Sequence, residues 1–165
     1  MTFPTMDKAL LQQQLVEALE TVHQGAIDAA MLAYNTAIDE ENVAENRYDT
    51  LGLEAAYLAQ GQAQRVTACE AELRAFRAMP LLHFAPSEPV AVGALITLQQ
   101  EGADEQYLFL GPAAGGLKLQ FGGKPIMVIT LSAPLGQALL GGVAGDEVAV
   151  SVAGTARHYE IVAVC

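Results

Sequence analysis

The chain has 165 residues, enough for one medium domain or two small ones. Nineteen Asp and Glu stand against eight Lys and Arg, a net charge of −11 that excludes a general phosphate-backbone binder, and with it direct duplex DNA binding, which needs a basic surface. Apolar residues make up 52%, enough to bury a core, while the lack of Trp and the presence of only five Tyr and five Phe argue against a stacking platform for single-stranded nucleic acid.

The first segment, MTFPTMDKALL, has no long apolar run behind a basic flank, so no signal peptide is expected. Cys69 and Cys165 do not make a disulfide framework and read as free thiols of a reducing cytoplasm. His23, His83 and His158 are far apart and have no paired-cysteine spacing, so no structural zinc site is expected.

Residues 8–78 contain no proline. Apolar or small residues recur at Leu15, Leu19, Val22, Ala26, Ala29, Ala33 and Thr36, alternating steps of 4 and 3. A second seam of alternating 3 and 4 runs through Gly52, Ala55, Ala59, Gln62, Val66, Cys69, Leu73 and Phe76. Heptad seams of this kind predict two long helices folded back on each other, with a tip near residues 39–49. Seam residues shrink toward that tip in both helices, which predicts a slender hairpin. About 30 residues per helix at ~1.5 Å rise give a projection of roughly 45 Å. A dimerising coiled coil is the competing structure.

From Met79 the pattern changes. Pro80, Pro86 and Pro89 mark a linker. Short β-type runs follow at Ala94–Gln99, Gln106–Leu110, Gly116–Phe121, Ile126–Leu131, Glu147–Val152 and His158–Val164. A short helix fits Leu135–Leu140, with Gly141 in the left-handed position that ends it. The domains expected are therefore residues 1–79, a helical hairpin, and residues 80–165, a small α+β domain with a mostly antiparallel sheet. The uncharged run Pro125–Gly145, 21 residues long, has the length of a membrane span. Pro134, three later glycines (Gly136, Gly141, Gly142) and the polar Thr130, Ser132 and Gln137 argue against one. No membrane association is expected.

The segment from Ser132 to Val148, SAPLGQALLGGVAGDEV, followed by Tyr159-Glu-Ile-Val162, resembles the C-terminal domain of the bacterial Gre transcription elongation factors, GreA and GreB. That family has a serine-proline-leucine run leading into a short helix, then a Gly-Asp turn and a strand, with a Tyr-Glu-Ile-type strand at the tail. In the other half, Glu45-Asn46, Tyr48, Glu54 and Gly61 resemble the tip and returning helix of the same family's coiled-coil hairpin. The resemblance implies an FKBP-like C-terminal fold. It implies RNA polymerase as partner, with the hairpin inserted through the secondary channel and in indirect contact with the nascent RNA 3′ end. It implies no catalysis by the chain alone and no stably bound metal. Acids at the tip would share Mg²⁺ with the polymerase active site, which then cleaves backtracked RNA. Hard divalent cations take oxygen ligands, so carboxylates suit that role.

On this resemblance the tip acids are Glu45, Glu41, Asp39, Glu40 and Asp49, with Asn42, Asn46 and Tyr48 as tip support. The sequence departs from the family pattern at one point. The family has an Asp three residues before its Glu-Asn pair, and here that position is Asn42. Asn is neutral and a weaker Mg²⁺ ligand. A regulator of initiation or pausing that enters the channel without cleaving is therefore the alternative.

Each site also has a plainer reading. Asn42 with Glu45 fits a capping box, and acids at a helix start are favoured by its dipole. Tyr48 equally fits packing on the second helix, Arg47 an offset to its acidic neighbours, and Glu54 an interhelical polar contact. Ser132, Pro134 and Leu135 shape a strand-to-helix turn and are also candidates for docking on polymerase. Gly111–Gly116 is glycine-rich but lacks the Lys-Ser/Thr ending of a phosphate loop and reads as a turn. Asp146 reads as a hairpin-turn residue. Two further function classes remain. An FKBP-like prolyl isomerase needs a deep aromatic pocket, and past residue 80 the aromatics are Phe84, Tyr107, Phe109, Phe121 and Tyr159. A coiled-coil interaction module would be an oligomer, whereas the polymerase reading expects a monomer.

The charge is unevenly placed. Residues 1–80 hold 12 acids and 5 bases, a net of −7, and five of those acids lie between Asp39 and Asp49.

Overall fold

In a computed structural model, two long helices precede a six-stranded sheet. The structure describes residues 5–43 and 51–165, with side chains over 8–39 and 52–165. Helix α1 spans Thr5–Val43 and α2 spans Leu51–Ala78. Strands β1 Leu95–Gln100, β2 Gln106–Leu110, β3 Lys118–Phe121 and β4 Lys124–Ile129 follow. Helix α3, Pro134–Leu139, then precedes β5, Glu147–Val152, and β6, Thr155–Val164. The chain clusters into two compact units, Val16–Arg74, and Met1–Leu15 together with Ala75–Cys165.

Both predicted seams are visible in the hairpin unit. On α2, Cys69 and Leu73 are buried, and Gly52, Ala55, Ala59, Gln62 and Val66 are half-buried. On α1, Leu19, Ala26 and Ala33 are buried, but the last seam position is Ala37. Thr36 is exposed, and its hydroxyl donates to the Leu32 carbonyl at 2.9 Å. A straight helix of 3.6 residues per turn drifts against a 3.5-residue repeat, so a seam carried outward from Leu15 passes to the next position. The inward residues shrink from Leu to Ala along α1, as expected.

The sheet order is β3-β4-β2-β1-β6-β5. Four of its pairings are antiparallel, and β2 pairs with β4 in parallel. This is the α+β, antiparallel-rich architecture read from the sequence. Strand β1 is central, with Leu95, Ile96, Thr97 and Leu98 all buried, so both sheet faces are covered. On one face Ile96, Leu98, Leu108, Leu110, Leu139 and Ile161 form the core. On the other, Phe109 meets Phe76 from the base of α2, with ring centroids 6.3 Å apart. A Cβ on Gly111 would lie 2.8 Å from the Phe76 ring and 2.9 Å from Val128, so only glycine lets that helix base sit so close to the sheet. Gly111–Gly116 is a connecting turn, as read, with this packing role in addition.

The uncharged run Pro125–Gly145 holds most of β4, a turn and the six-residue α3. Among the described residues no helix is long and apolar enough to cross a membrane. Gly141 takes φ 81° just beyond α3, as its position predicted. Asp146 differs from expectation. The hairpin between β5 and β6 turns at Ala153 and Gly154, with φ 51° and 80°, the twist a two-residue hairpin requires. Asp146 instead sits in the connection from α3 to β5, where its carboxylate accepts from the Val143 N–H at 3.0 Å.

Candidate functional site

The distal end of α1 is where the acidic sequence falls. Helix α1 continues through Val43, so Asp39, Glu40, Glu41 and Asn42 are helical rather than part of a turn. That overturns the capping reading of Asn42. A cap stands ahead of a helix, and Asn42 lies within α1. Three consecutive acids, Asp39-Glu40-Glu41, stand near the end of the described part of α1, and no basic residue lies among its last four described residues.

Asp39 is exposed. Glu45, Asn46, Tyr48 and Asp49 lie outside the described residues, as does Arg47. Glu54 is exposed in the first turn of α2, where its charge suits the dipole, and it lies off the seam of Gly52, Ala55 and Ala59. Among the described residues no three acidic, histidine or cysteine side chains converge on one point.

The second candidate group is the turn from β4 into α3. Ser132 and Pro134 are exposed, and Leu135 is half-buried against the core. The Ser132 N–H donates to Thr130 Oγ1 at 3.3 Å, and Pro134 opens α3 where a missing N–H costs nothing. Gly136 fixes the approach, because a Cβ there would run into the Thr130 carbonyl oxygen. The Ser-Ala-Pro-Leu-Gly run is thus first a device for laying a short helix tightly on a strand end. It leaves Ser132 and Pro134 open to a partner.

Two features were not read from the sequence. Lys8 is buried near the base of α1, where its Nζ donates to the Cys165 carbonyl at 2.6 Å and lies 4.6 Å from the Phe84 ring centroid. Burial lowers its pKa from 10.5 to about 8, against a smaller upward pull from Cys165. Burial raises the Cys165 thiol, with Lys8 opposing. Nothing in the pattern of apolar residues marks a lysine as buried. The other feature is an open groove of about 560 Å³ on the distal hairpin, lined by Met31, Tyr34 and Ile38 on α1 and by Ala56, Gln60 and Ala63 on α2, among others. Its signal was available as two uncharged windows, residues 29–38 and 55–64.

Comparison with known proteins matches residues 85–165 to the family described as transcription elongation factor, GreA/GreB, C-terminal. A transcription elongation factor GreA from Xanthomonas campestris pv. campestris is 29% identical over 102 residues, covering 61% of this chain and 60% of that protein. One from Maridesulfovibrio salexigens is 34% identical over 79 residues, covering 47% and 45%. The chain thus matches about half the length of these curated relatives. Among solved structures, the transcription factor Gfh1 aligns over 90% of this chain and 92% of its own, at 21% identity and a TM-score of 0.40. A prokaryotic GreA/GreB factor from Nitrosomonas europaea aligns over 67% and 90%, at 22% identity and a TM-score of 0.36. The assignment does not rest on these partial superpositions but on the matched domain, whose short helix, Gly-Asp turn and Tyr-Glu-Ile strand stand where the motif places them. Residues 85–165 belong to the GreA/GreB C-terminal domain family, and these matches support the chain as a divergent Gre-family factor.

Proposed function

We propose that the chain binds RNA polymerase and inserts its hairpin into the secondary channel, where it acts on paused or backtracked complexes. The observation that carries this reading is the acidic run Asp39-Glu40-Glu41 on the long helix α1 of a chain whose residues 85–165 match a Gre-type domain. A concentration of carboxylates on a long helix, in a chain that also carries a Gre-type domain, fits a carboxylate probe aimed at a basic, metal-bearing site. Carboxylates are hard oxygen donors and suit Mg²⁺. Asp39, Glu40, Glu41 and Glu45 are the residues that would turn toward it, with the polymerase supplying the remaining ligands and the catalysis. Mg²⁺ would there polarise the phosphate and activate the attacking water.

Asn42 favours a second version of the same reading. A neutral amide replaces the family's acid three residues before Glu45, which removes one charge from the donor set. In this version the hairpin occupies the channel and modulates initiation or pausing without stimulating cleavage. Stalled-complex cleavage assays separate the two. A cleavage factor shortens backtracked RNA and loses that effect in Glu45→Ala or Glu41→Ala. A non-cleaving regulator leaves the RNA intact but still competes with a Gre factor for core polymerase. Absence of any polymerase binding overturns both.

A further inference from the structure

We propose that the distal hairpin groove is a self-association surface, and that two copies of this chain pack there as an antiparallel, two-fold dimer. The groove has unlike walls. On α1, Met31, Tyr34 and Ile38 form a ridge, and they are 55, 57 and 38% exposed. On α2, Ala56, Ala59 and Ala63 form a furrow of small side chains, with Gln60 the one longer residue on that wall. A ridge beside a furrow is self-complementary under a two-fold rotation, which lays each copy's ridge in the other's furrow. Large side chains between small ones also match the ridge-and-groove rule for packed helices.

Charge selects both the place and the direction. The hairpin unit, Val16–Arg74, contains 11 acids and 3 bases, so two copies repel over most of its surface. Residues 29–38 and 55–64 carry no charge, and all nine residues lining the groove fall within those windows. A parallel pairing sets the two runs Asp39-Glu40-Glu41 side by side, whereas an antiparallel pairing sends them to opposite ends.

Area sets the strength. The open parts of Met31, Tyr34 and Ile38 amount to roughly 300 Å² per copy, near the lower end of the largest apolar patches on ordinary monomers. With the furrow added, the pair buries on the order of 1,000 Å² in total, below the ~1,200–2,000 Å² of stable complexes. The dimer is therefore reversible and concentration-dependent. Granting the polymerase reading, dimerisation hides the shaft that must enter the channel, so only the monomer is competent to act.

The test is sedimentation velocity of the full chain from about 1 to 200 µM, a span set by the weak affinity of an interface this small. Wild type is expected to shift from monomer to dimer across that range. Tyr34→Lys and Ala63→Arg, both at exposed positions, are each expected to raise the apparent Kd at least about tenfold, because symmetry makes one substitution strike the interface twice. Leu32→Lys introduces the same charge at a 70% exposed residue outside the groove and is expected to leave the Kd unchanged. Helicity by circular dichroism checks each fold, and if Ala63→Arg loses helicity, Tyr34→Lys decides alone. A wild type that stays monomeric throughout overturns the proposal. So does a Leu32→Lys effect as large as that of Tyr34→Lys. A monomeric wild type whose polymerase binding falls in Tyr34→Lys overturns it in favour of polymerase as the groove's occupant. Polymerase binding by wild type, measured separately, tests the functional reading independently of this one.

Discussion

Lys8 gives the chain a pH-dependent stability whose sign follows from its surroundings. It is 4% exposed, and burial lowers its pKa to about 8 from 10.5. Across the window from about 8 to 10.5 the unfolded chain holds a proton on this lysine that the native chain has released. The native state gains relative stability as pH rises through that window. Integrating the shift gives about 1 kcal/mol between pH 8 and 9, an order-of-magnitude figure equivalent to a rise in Tm of roughly 3 °C for a protein of this size. Cys165 acts in the opposite sense above about pH 9. Its raised thiol keeps a proton in the native state that the unfolded chain releases, so stability is lost there as pH increases. The expected profile climbs from pH 8 to 9 and then flattens. Lys8→Met is expected to abolish the climb, because Met fills similar space with nothing to titrate, while losing the bond to the Cys165 carbonyl. Urea unfolding followed by circular dichroism at half-unit pH steps measures it. A wild-type profile flat from pH 8 to 9, or a climb that survives in Lys8→Met, refutes the reasoning.

Other substitutions probe the rest of the account. Phe76→Ala removes a fully buried ring from beside Phe109 and Gly111 and is expected to destabilise by about 3–5 kcal/mol in denaturant unfolding. Gly136→Ala drives a Cβ into the Thr130 backbone, which no side-chain rotation relieves, and is expected to destabilise by about 3 kcal/mol on the same assay. The triple change Asp39→Asn, Glu40→Gln, Glu41→Gln removes three negative charges from a hairpin unit that holds 11 acids and 3 bases. It is expected to raise hairpin stability by relieving like-charge repulsion, an effect that shrinks in high salt, while weakening action on polymerase. Asn42→Asp restores the acid of the family pattern and is expected to increase cleavage of backtracked RNA in stalled complexes.

What the sequence made legible follows physical periodicity. Two heptad seams showed the hairpin because apolar spacing is a one-dimensional record of which helix face is buried. Glu147–Val152 and Gln106–Leu110 were read at the residues the strands occupy, since turn residues bound both runs. Strand β6 begins at Thr155 rather than at the expected His158, because its first residues lie on an exposed hairpin and carry no burial signal. Helix α1 runs past residue 39, where the sequence predicts the tip to begin, for a different reason. Acids and Asn read as a turn on propensity, and nothing local reports that the helix continues through Val43. The burial of Lys8 and the packing role of Gly111 are not legible in the sequence because they depend on Cys165, Phe84, Phe76 and Val128, partners remote in sequence. The acids Asp39-Glu40-Glu41 are legible as a cluster because they are consecutive in the sequence.

The most direct test of the central claim is competition on core RNA polymerase. Labelled chain is bound to the enzyme, and an established Gre factor is titrated against it. The expected result is saturable binding that the Gre factor displaces to completion, with weaker binding by the Asp39/Glu40/Glu41 triple variant. Binding that the Gre factor leaves in place, or no binding at all, contradicts it.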